Sequence, residues 1–162
     1  MPHPLKLYAI LFLSVAASVH ADDWETYRSD EYGFSMQVPK GTQFTEKEWE
    51  HGWAGLHASY EGVDIYVITR QGTEASAEEI EKVGTRVSGI PENAWKKVDE
   101  GKNMNGWKWH RTYKAQKQDA VVLAGMGTGP KGSYLLFLKT TADDLKENET
   151  AYKKWYSSLK VF

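Results

Sequence analysis

The sequence predicts an α+β fold, in which an antiparallel β-sheet of about six strands is sandwiched by helices. Alternation of apolar and polar residues, which is typical of strands, dominates the chain. Helical spacing of apolar residues interrupts this alternation near the middle of the chain and again at its end. The predicted order is therefore strands, a helix, more strands and a final helix.

The composition of the 162 residues excludes several functional classes. The formal net charge is −2, whereas a protein that binds nucleic acid through its phosphates needs an excess of basic residues. The chain has no cysteine, which excludes disulfides, thiolate metal sites, a cysteine nucleophile and a lipid-anchored cysteine. Hydrophobic residues make up 41% of the chain and include seven tryptophans, so we expect one folded domain with a substantial core.

Residues 1–21 have the pattern of a signal peptide. The apolar run over residues 7–17 has the length of a signal-peptide hydrophobic region. It is too short to span a bilayer, which needs about 20 apolar residues. Val19 and Ala21 are suitable for cleavage after Ala21, and cleavage after Ala17 would also fit. The sequence therefore predicts a periplasmic or extracellular protein without a membrane anchor, whose single domain covers residues 22–162.

The strands begin with residues 34–38, and a β-hairpin follows them. Residues 53–60 and 63–70 alternate, and a two-residue turn, Glu61-Gly62, separates them. With this turn the apolar residues of both strands share one face, because their register is then fixed. The predicted pairs are Leu56 with Val67 and Tyr60 with Val63.

The first helix is predicted to begin at Ser76, where Ser76 and Glu79 form a capping box, and to end at Gly89. The final helix is predicted from Thr141 to about Leu159. Four strands lie between the two helices, and the last two are apolar on both faces, so both faces of the sheet must be covered. These four strands cover residues 94–100, 106–114, 120–126 and 133–140.

Residues 32–41, Tyr-Gly-Phe-Ser-Met-Gln-Val-Pro-Lys-Gly, resemble the opening of PsbP-like domains. The final helix and the residues after it, 158–162, are similar to the closing helix and short strand of that superfamily. The resemblance implies a central antiparallel sheet between helices, into which the strand at residues 34–38 leads. It also implies an accessory or binding role, and it brings no set of catalytic residues.

The polar face of the predicted hairpin is a candidate binding surface. Trp53 would lie across from Arg70, a pair suited to cation–π stacking, with His57 and Tyr66 beside them. Trp49, in the polar segment before the hairpin, could lie at the rim. Aromatic rings next to hydrogen-bond donors are typical of surfaces that bind sugars, aromatic ligands or proteins. The alternative is that a helix packs on this face and that the rings belong to the core.

The same face allows a second hypothesis, a small secreted hydrolase. Ser59 would lie across from Asp64 and His57 diagonal to it, which are the residue types of a serine hydrolase triad. A flat pair of strands offers no converging backbone amides for an oxyanion. The sequence therefore favours a non-enzymatic protein.

A third hypothesis is a small-molecule carrier whose pocket is lined by Trp107, Trp109 and Trp155. The two former residues alternate along one predicted strand, so an aromatic face is expected there. No spacing of histidines or acidic residues calls for a metal, and the glycine-rich residues 125–133 lack the pattern of a phosphate loop. We thus predict no cofactor, an unidentified protein or small molecule as partner, and a monomer or weak oligomer.

Overall fold

Two antiparallel sheets and three α-helices form the fold of residues 23–162, the part of the chain that this computed structural model describes. The predicted signal peptide, residues 1–21, lies outside the described residues. The strands in chain order are β1 (Trp24–Ser29), β2 (Phe34–Pro39), β3 (Thr45–Glu48), β4 (Ala54–Tyr60), β5 (Val63–Gln71), β6 (Trp95–Met104), β7 (Trp107–Lys117), β8 (Ala120–Gly129), β9 (Gly132–Thr141) and β10 (Lys160–Val161). The helices are α1 (Ala77–Ser88), α2 (Ala142–Glu147) and α3 (Glu149–Ser158).

The large sheet has seven strands in the order β3-β4-β5-β9-β8-β7-β6, and neighbouring strands are antiparallel. Six of these strands were predicted from the sequence, and β3 adds a seventh at the edge. All four residues of β3 are exposed, so its sequence carries no alternation that would mark a strand. The predicted fold class, an antiparallel sheet between helices, is confirmed.

The strand β2 lies in a separate sheet rather than leading into the large one. It is the central strand of a three-stranded sheet, between β1 and the short β10 near the end of the chain. In β2 the alternating hydrophobic residues Phe34, Met36 and Val38 are buried, and so is Pro39. The residues of β1 are mostly exposed or half-buried. This difference explains why β2 was predicted from alternation and β1 was not.

The hairpin of β4 and β5 has the predicted register. Leu56 pairs with Val67, and Tyr60 pairs with Val63. Glu61 and Gly62 form the turn with φ values of 48° and 81°, which a two-residue hairpin turn of the mirror-image type requires. The apolar side chains of both strands consequently face one core, as predicted from the sequence.

Both faces of the large sheet are covered. One core lies between the sheet and α3 with the small sheet, and it contains Phe34, Met36, Tyr152 and Trp155. The other core lies under α1. Strand β8 contributes alternate residues to the two cores, which explains its apolar sequence on both faces.

Helix α1 begins and ends as predicted. The Ser76 hydroxyl accepts a hydrogen bond from the Glu79 amide at 3.2 Å, and Gly89 ends the helix with a φ of 73°. Its side chains Ile80 and Val83 are buried against the sheet. Each buried side chain of this kind contributes about 1.5–3 kcal/mol to stability relative to exposure.

The predicted final helix is interrupted at Asn148, which separates α2 from α3 and has a non-helical ψ of 28°. The side-chain amide of Asn148 donates to the Asp144 carboxylate at 2.9 Å. The same carboxylate accepts hydrogen bonds from the hydroxyls of Thr140 and Tyr152. These hydrogen bonds hold the bend between α2 and α3. The helical periodicity of the sequence does not predict such a bend.

Two of the buried tyrosines, Tyr113 and Tyr134, lower the free energy of unfolding at alkaline pH. Burial raises the pKa of Tyr134 to about 12, and burial with a hydrogen bond to Glu81 raises the pKa of Tyr113 to about 12. In the unfolded chain these phenols have a pKa near 10, so the unfolded state loses their protons first. We expect their contribution to stability to be complete below about pH 10 and to be lost as pH rises from about 10 to about 12.

Urea unfolding at about pH 9 and about pH 11 measures this decline. The variant Tyr134→Phe should show a smaller decline than the natural chain, because one of the phenols with a raised pKa is gone. An identical decline in both proteins would contradict the assignment.

Candidate functional site

Helix α1 covers part of the predicted binding face. Trp53 has 2% of its surface exposed and lies in the core under α1. The guanidinium carbon of Arg70 is 5.0 Å from the Trp53 ring centroid, and its Nη2 atom is 3.2 Å from Glu79 of α1. The predicted cation–π pair is thus present, but the expectation of an open Trp53 ring is corrected. The apolar stripe of α1, which needs a partner, is buried in the same core as this ring.

Two other residues of the predicted face, Trp49 and Tyr66, line one recess. This recess, called here the α1 recess, has a volume of about 550 Å³ and is closed on its other side by Arg86 and Val87 of α1. Lys47, Glu48 and Glu50 complete its lining. The structure therefore brings two of the five predicted contact residues together at an opening.

The Tyr66 ring is held in place by other rings. Its centroid is 4.4 Å from that of Phe137, with which it stacks, and 4.5 Å from that of His57. Burial, and to a lesser extent the negative charge of Asp64, raises the pKa of Tyr66. The phenol is therefore a neutral hydrogen-bonding group at physiological pH, and His57 supports it from the side.

The three residues of the hydrolase hypothesis are neighbours, but in the wrong order for catalysis. The Ser59 hydroxyl donates a hydrogen bond to the Asp64 carboxylate. His57 Nε2 lies 3.7 Å from Asp64 Oδ1, so the carboxylate stands between the serine and the histidine. A serine nucleophile instead needs the histidine next to its hydroxyl, to accept the proton. This arrangement gives no support to the hydrolase hypothesis.

The three tryptophans of the carrier hypothesis do not share a pocket. Trp107 and Trp155 are buried in the core under α3, whereas Trp109 packs against the core under α1, on the other face of the sheet. The indole N–H of Trp107 donates to the Leu159 carbonyl at 3.3 Å, which holds its ring against the end of the chain. The expectation of one aromatic face on this strand is therefore corrected.

Sequence reasoning missed a groove between the edge strand β6 and helix α3. Val98 and Met104 of β6 are 60% and 51% exposed, and they are the exposed large hydrophobic residues of the described part of the chain. The groove consists of two adjoining cavities of about 480 and 550 Å³; Val98 lines both, and Met104 lines the first. The signal for it in the sequence was that Val98 and Met104 are apolar residues among charged and polar neighbours in β6.

No cluster of three or more histidine, aspartate or glutamate side chains suited to a metal occurs within residues 23–162. None of the helices in this range is long and apolar enough to cross a membrane.

The α+β architecture places the protein among PsbP-like folds. It is similar to the solution structure of cyanobacterial PsbP (CyanoP) from Synechocystis sp. PCC 6803, with a TM-score of 0.54 and 12% sequence identity over 93% of this chain and 99% of that chain. A protein of unknown function from Pseudomonas aeruginosa is a further match, with a TM-score of 0.37 and 16% identity over 80% of this chain and 91% of that chain. No protein-family model and no curated protein matches the sequence. The resemblance to the PsbP-like fold that residues 32–41 predicted is confirmed.

Proposed function

We propose that this protein is an exported, non-enzymatic accessory protein that binds a protein partner at the α1 recess. The observation that supports the site is the pair of half-buried rings, Trp49 and Tyr66, at an opening next to Arg86. Aromatic residues and arginine are enriched in the centres of protein interfaces. The PsbP-like fold is consistent with such a role.

The edges of the α1 recess suit a partner of mixed charge. The Lys47 ammonium lies 5.8 Å from the Trp49 ring centroid, and Glu48 and Glu50 lie on either side of this ring in the sequence. Charges of both signs at the rim set the orientation of a partner more than they add to its affinity. The half-buried rings of Trp49 and Tyr66 would supply most of the binding energy.

Export is supported by the apolar residues 7–17 and the small residues after them. The absence of catalysis is supported by the hydrogen bond of the Ser59 hydroxyl, which is made to Asp64 and not to His57. Export and the proposed binding site are tested in one set of experiments in the host cell.

We expect the protein recovered from the periplasmic or extracellular fraction to begin at Asp22. A photo-reactive phenylalanine at position 49 should give a covalent adduct with a polypeptide, and the same residue at Lys154, on the opposite side of the sheet, should not. Arg86→Glu should reduce this adduct about fivefold or more, since it reverses a charge at the recess.

Lys82→Glu is the matched control, because it makes the same change of charge one turn earlier on α1 and outside the recess. It should leave the adduct unchanged. Equal adducts from positions 49 and 154, or an adduct insensitive to Arg86→Glu, would argue against the proposed site.

A further inference from the structure

The groove between β6 and α3, called here the edge groove, is a second opening on the other face of the sheet from the α1 recess. Its two cavities share Val98, Tyr156 and Lys153 as lining residues, so they lie side by side along the same groove. Each cavity, of about 480 and 550 Å³, is within the size range of sites that hold small molecules, roughly 300–1,000 Å³.

The floor and the outer wall of the edge groove are apolar. The floor contains Leu123 of β8 and Leu159, which follows α3, and both are buried. The outer wall is formed by Val98 and Met104, which remain largely exposed. Leaving these two side chains in water forgoes hydrophobic stabilisation that a bound apolar group would recover.

The second cavity of the edge groove carries a positive charge. Lys114, Lys146 and Lys153 line it, against a single carboxylate, that of Glu149. Glu149 forms an ion pair with Lys153 at 2.9 Å, and Lys114 lies near enough to help lower its pKa. Within residues 23–162, Lys114 and Lys146 form no salt bridge closer than 4.0 Å.

This local excess of positive charge contrasts with the whole chain, whose formal net charge is −2. In the first cavity the charges are closer to balance, since Arg111 and the shared Lys153 line it together with Asp99, and Arg111 is paired with Glu81 and Glu100. One part of the edge groove is thus apolar, and its other end is positively charged. This arrangement is complementary to a molecule with one anionic group and one apolar tail.

The hydrogen-bonding groups along the groove are largely satisfied within the protein. The Tyr156 hydroxyl donates to the Tyr113 carbonyl at 2.5 Å, and the Gln116 amide donates to the Gln118 carbonyl at 3.2 Å. The Tyr152 hydroxyl donates to Asp144. An exception is Nδ1 of His110, which is buried without a partner in the described structure.

A polypeptide in this groove would need partners for its own backbone amides and carbonyls, because burying them unpaired is costly. The edge of β6 is poorly suited to supply them, since it has an irregular register between Lys97 and Asp99 and carries many charged residues. A hydrocarbon chain needs no such partners.

We propose that the edge groove binds a free long-chain carboxylate, with its tail along Val98 and Met104 and its head group at Lys114 and Lys146. This inference concerns a different surface from the α1 recess and does not depend on it. It gives the protein a small-molecule ligand in addition to a partner.

The test is a titration of the purified protein with cis-parinaric acid, a fluorescent long-chain carboxylate, below its micellar concentration. We expect saturable binding with one site. The double variant Lys114→Glu/Lys146→Glu should weaken it about tenfold or more, because two attractive charges become repulsive. The methyl ester of the same acid, which has no charge, should bind the double variant and the natural chain alike.

Val98→Asp should weaken binding of both the acid and the ester, since it places a charge along the tail. Val98 is exposed, so the fold should tolerate this change, and a thermal unfolding curve checks it. Lys40→Glu, in an exposed turn outside the groove, is the matched charge control and should bind as the natural chain does.

Three results would overturn the proposal. They are no saturable binding to the natural chain, equal affinity in the double lysine variant, and binding only to vesicles of an anionic phospholipid but not to the free acid. Failure of the photo-crosslinking at position 49 would leave this result unaffected, so the two proposals can fail separately.

Discussion

Trp155→Ala is expected to lower the free energy of unfolding by about 3–5 kcal/mol, the usual cost of removing a large aromatic side chain from a core. Trp155 is fully buried, with 0% of its surface exposed, between α3 and the sheets. Removal of its indole leaves a cavity that the surrounding strands cannot fill, because backbone hydrogen bonds to neighbouring strands hold them in place. Urea unfolding monitored by circular dichroism measures the loss.

Trp155→Phe separates the effect of the ring from that of its N–H group. The indole nitrogen is buried without a hydrogen-bond partner in the described structure, so the phenyl ring keeps much of the packing and removes an unpaired donor. We expect it to cost clearly less than the alanine variant. Val98→Ala is the exposed control and should change stability by no more than about 0.5 kcal/mol. A loss below about 1 kcal/mol for Trp155→Ala would refute its central place in the core.

Gly106→Ala is expected to be the most harmful change at a turn. Gly106 has a φ of 83°, and a Cβ there would lie 1.6 Å from the carbonyl oxygen of Val161. The adjacent Asn105 carbonyl accepts the Val161 amide at 3.0 Å, so the β6–β7 turn holds the end of the chain. A methyl group would have to push β10 away from this turn, and a loss of more than about 2 kcal/mol is expected.

Gly62→Ala is the matched control for this experiment. Gly62 has nearly the same φ, 81°, but nothing lies within 4 Å of its would-be Cβ. It should therefore show only the backbone cost of a positive φ, about 1–2 kcal/mol. The difference between the two variants, measured by urea unfolding, isolates the contact with Val161. Equal losses would show that this contact contributes nothing.

The sequence predicted those parts of the fold in which local pattern and local geometry agree. The hairpin register followed from the alternation of its strands together with a turn that glycine allows at residue 62. Helix α1 followed from its cap at Ser76 and its end at Gly89. In each case the residues that decide the structure lie within a few positions of one another.

The candidate site was predicted only in part, because its exposure depends on α1. Alternation placed Trp53, Tyr66 and Arg70 on one face of the hairpin, and the structure agrees with the pairing that this requires. Alternation could not show that Trp53 is buried in the core that contains α1, whereas Tyr66 lines an opening. The sequence had left this alternative open, and the contacts of the helix decide it.

The prediction for Trp107 and Trp109 shows another limit of alternation. Their spacing predicts one shared face, yet they pack in cores on opposite sides of the sheet. Trp107 directly follows the turn at Gly106, and its indole is bonded to the Leu159 carbonyl. A contact with a residue far along the chain therefore overrides the local period at the start of β7.

By itself, the sequence determined the elements, the hairpin register and the need to cover both faces of the sheet, since these follow from periodicity, turn residues and caps. Only the tertiary structure decided which rings are buried, where the final helix breaks at Asn148 and that β6 and α3 enclose a groove. The physical reason is that burial is a property of contacts between residues distant in sequence. A local pattern states which faces are apolar, but it does not state what will pack against them.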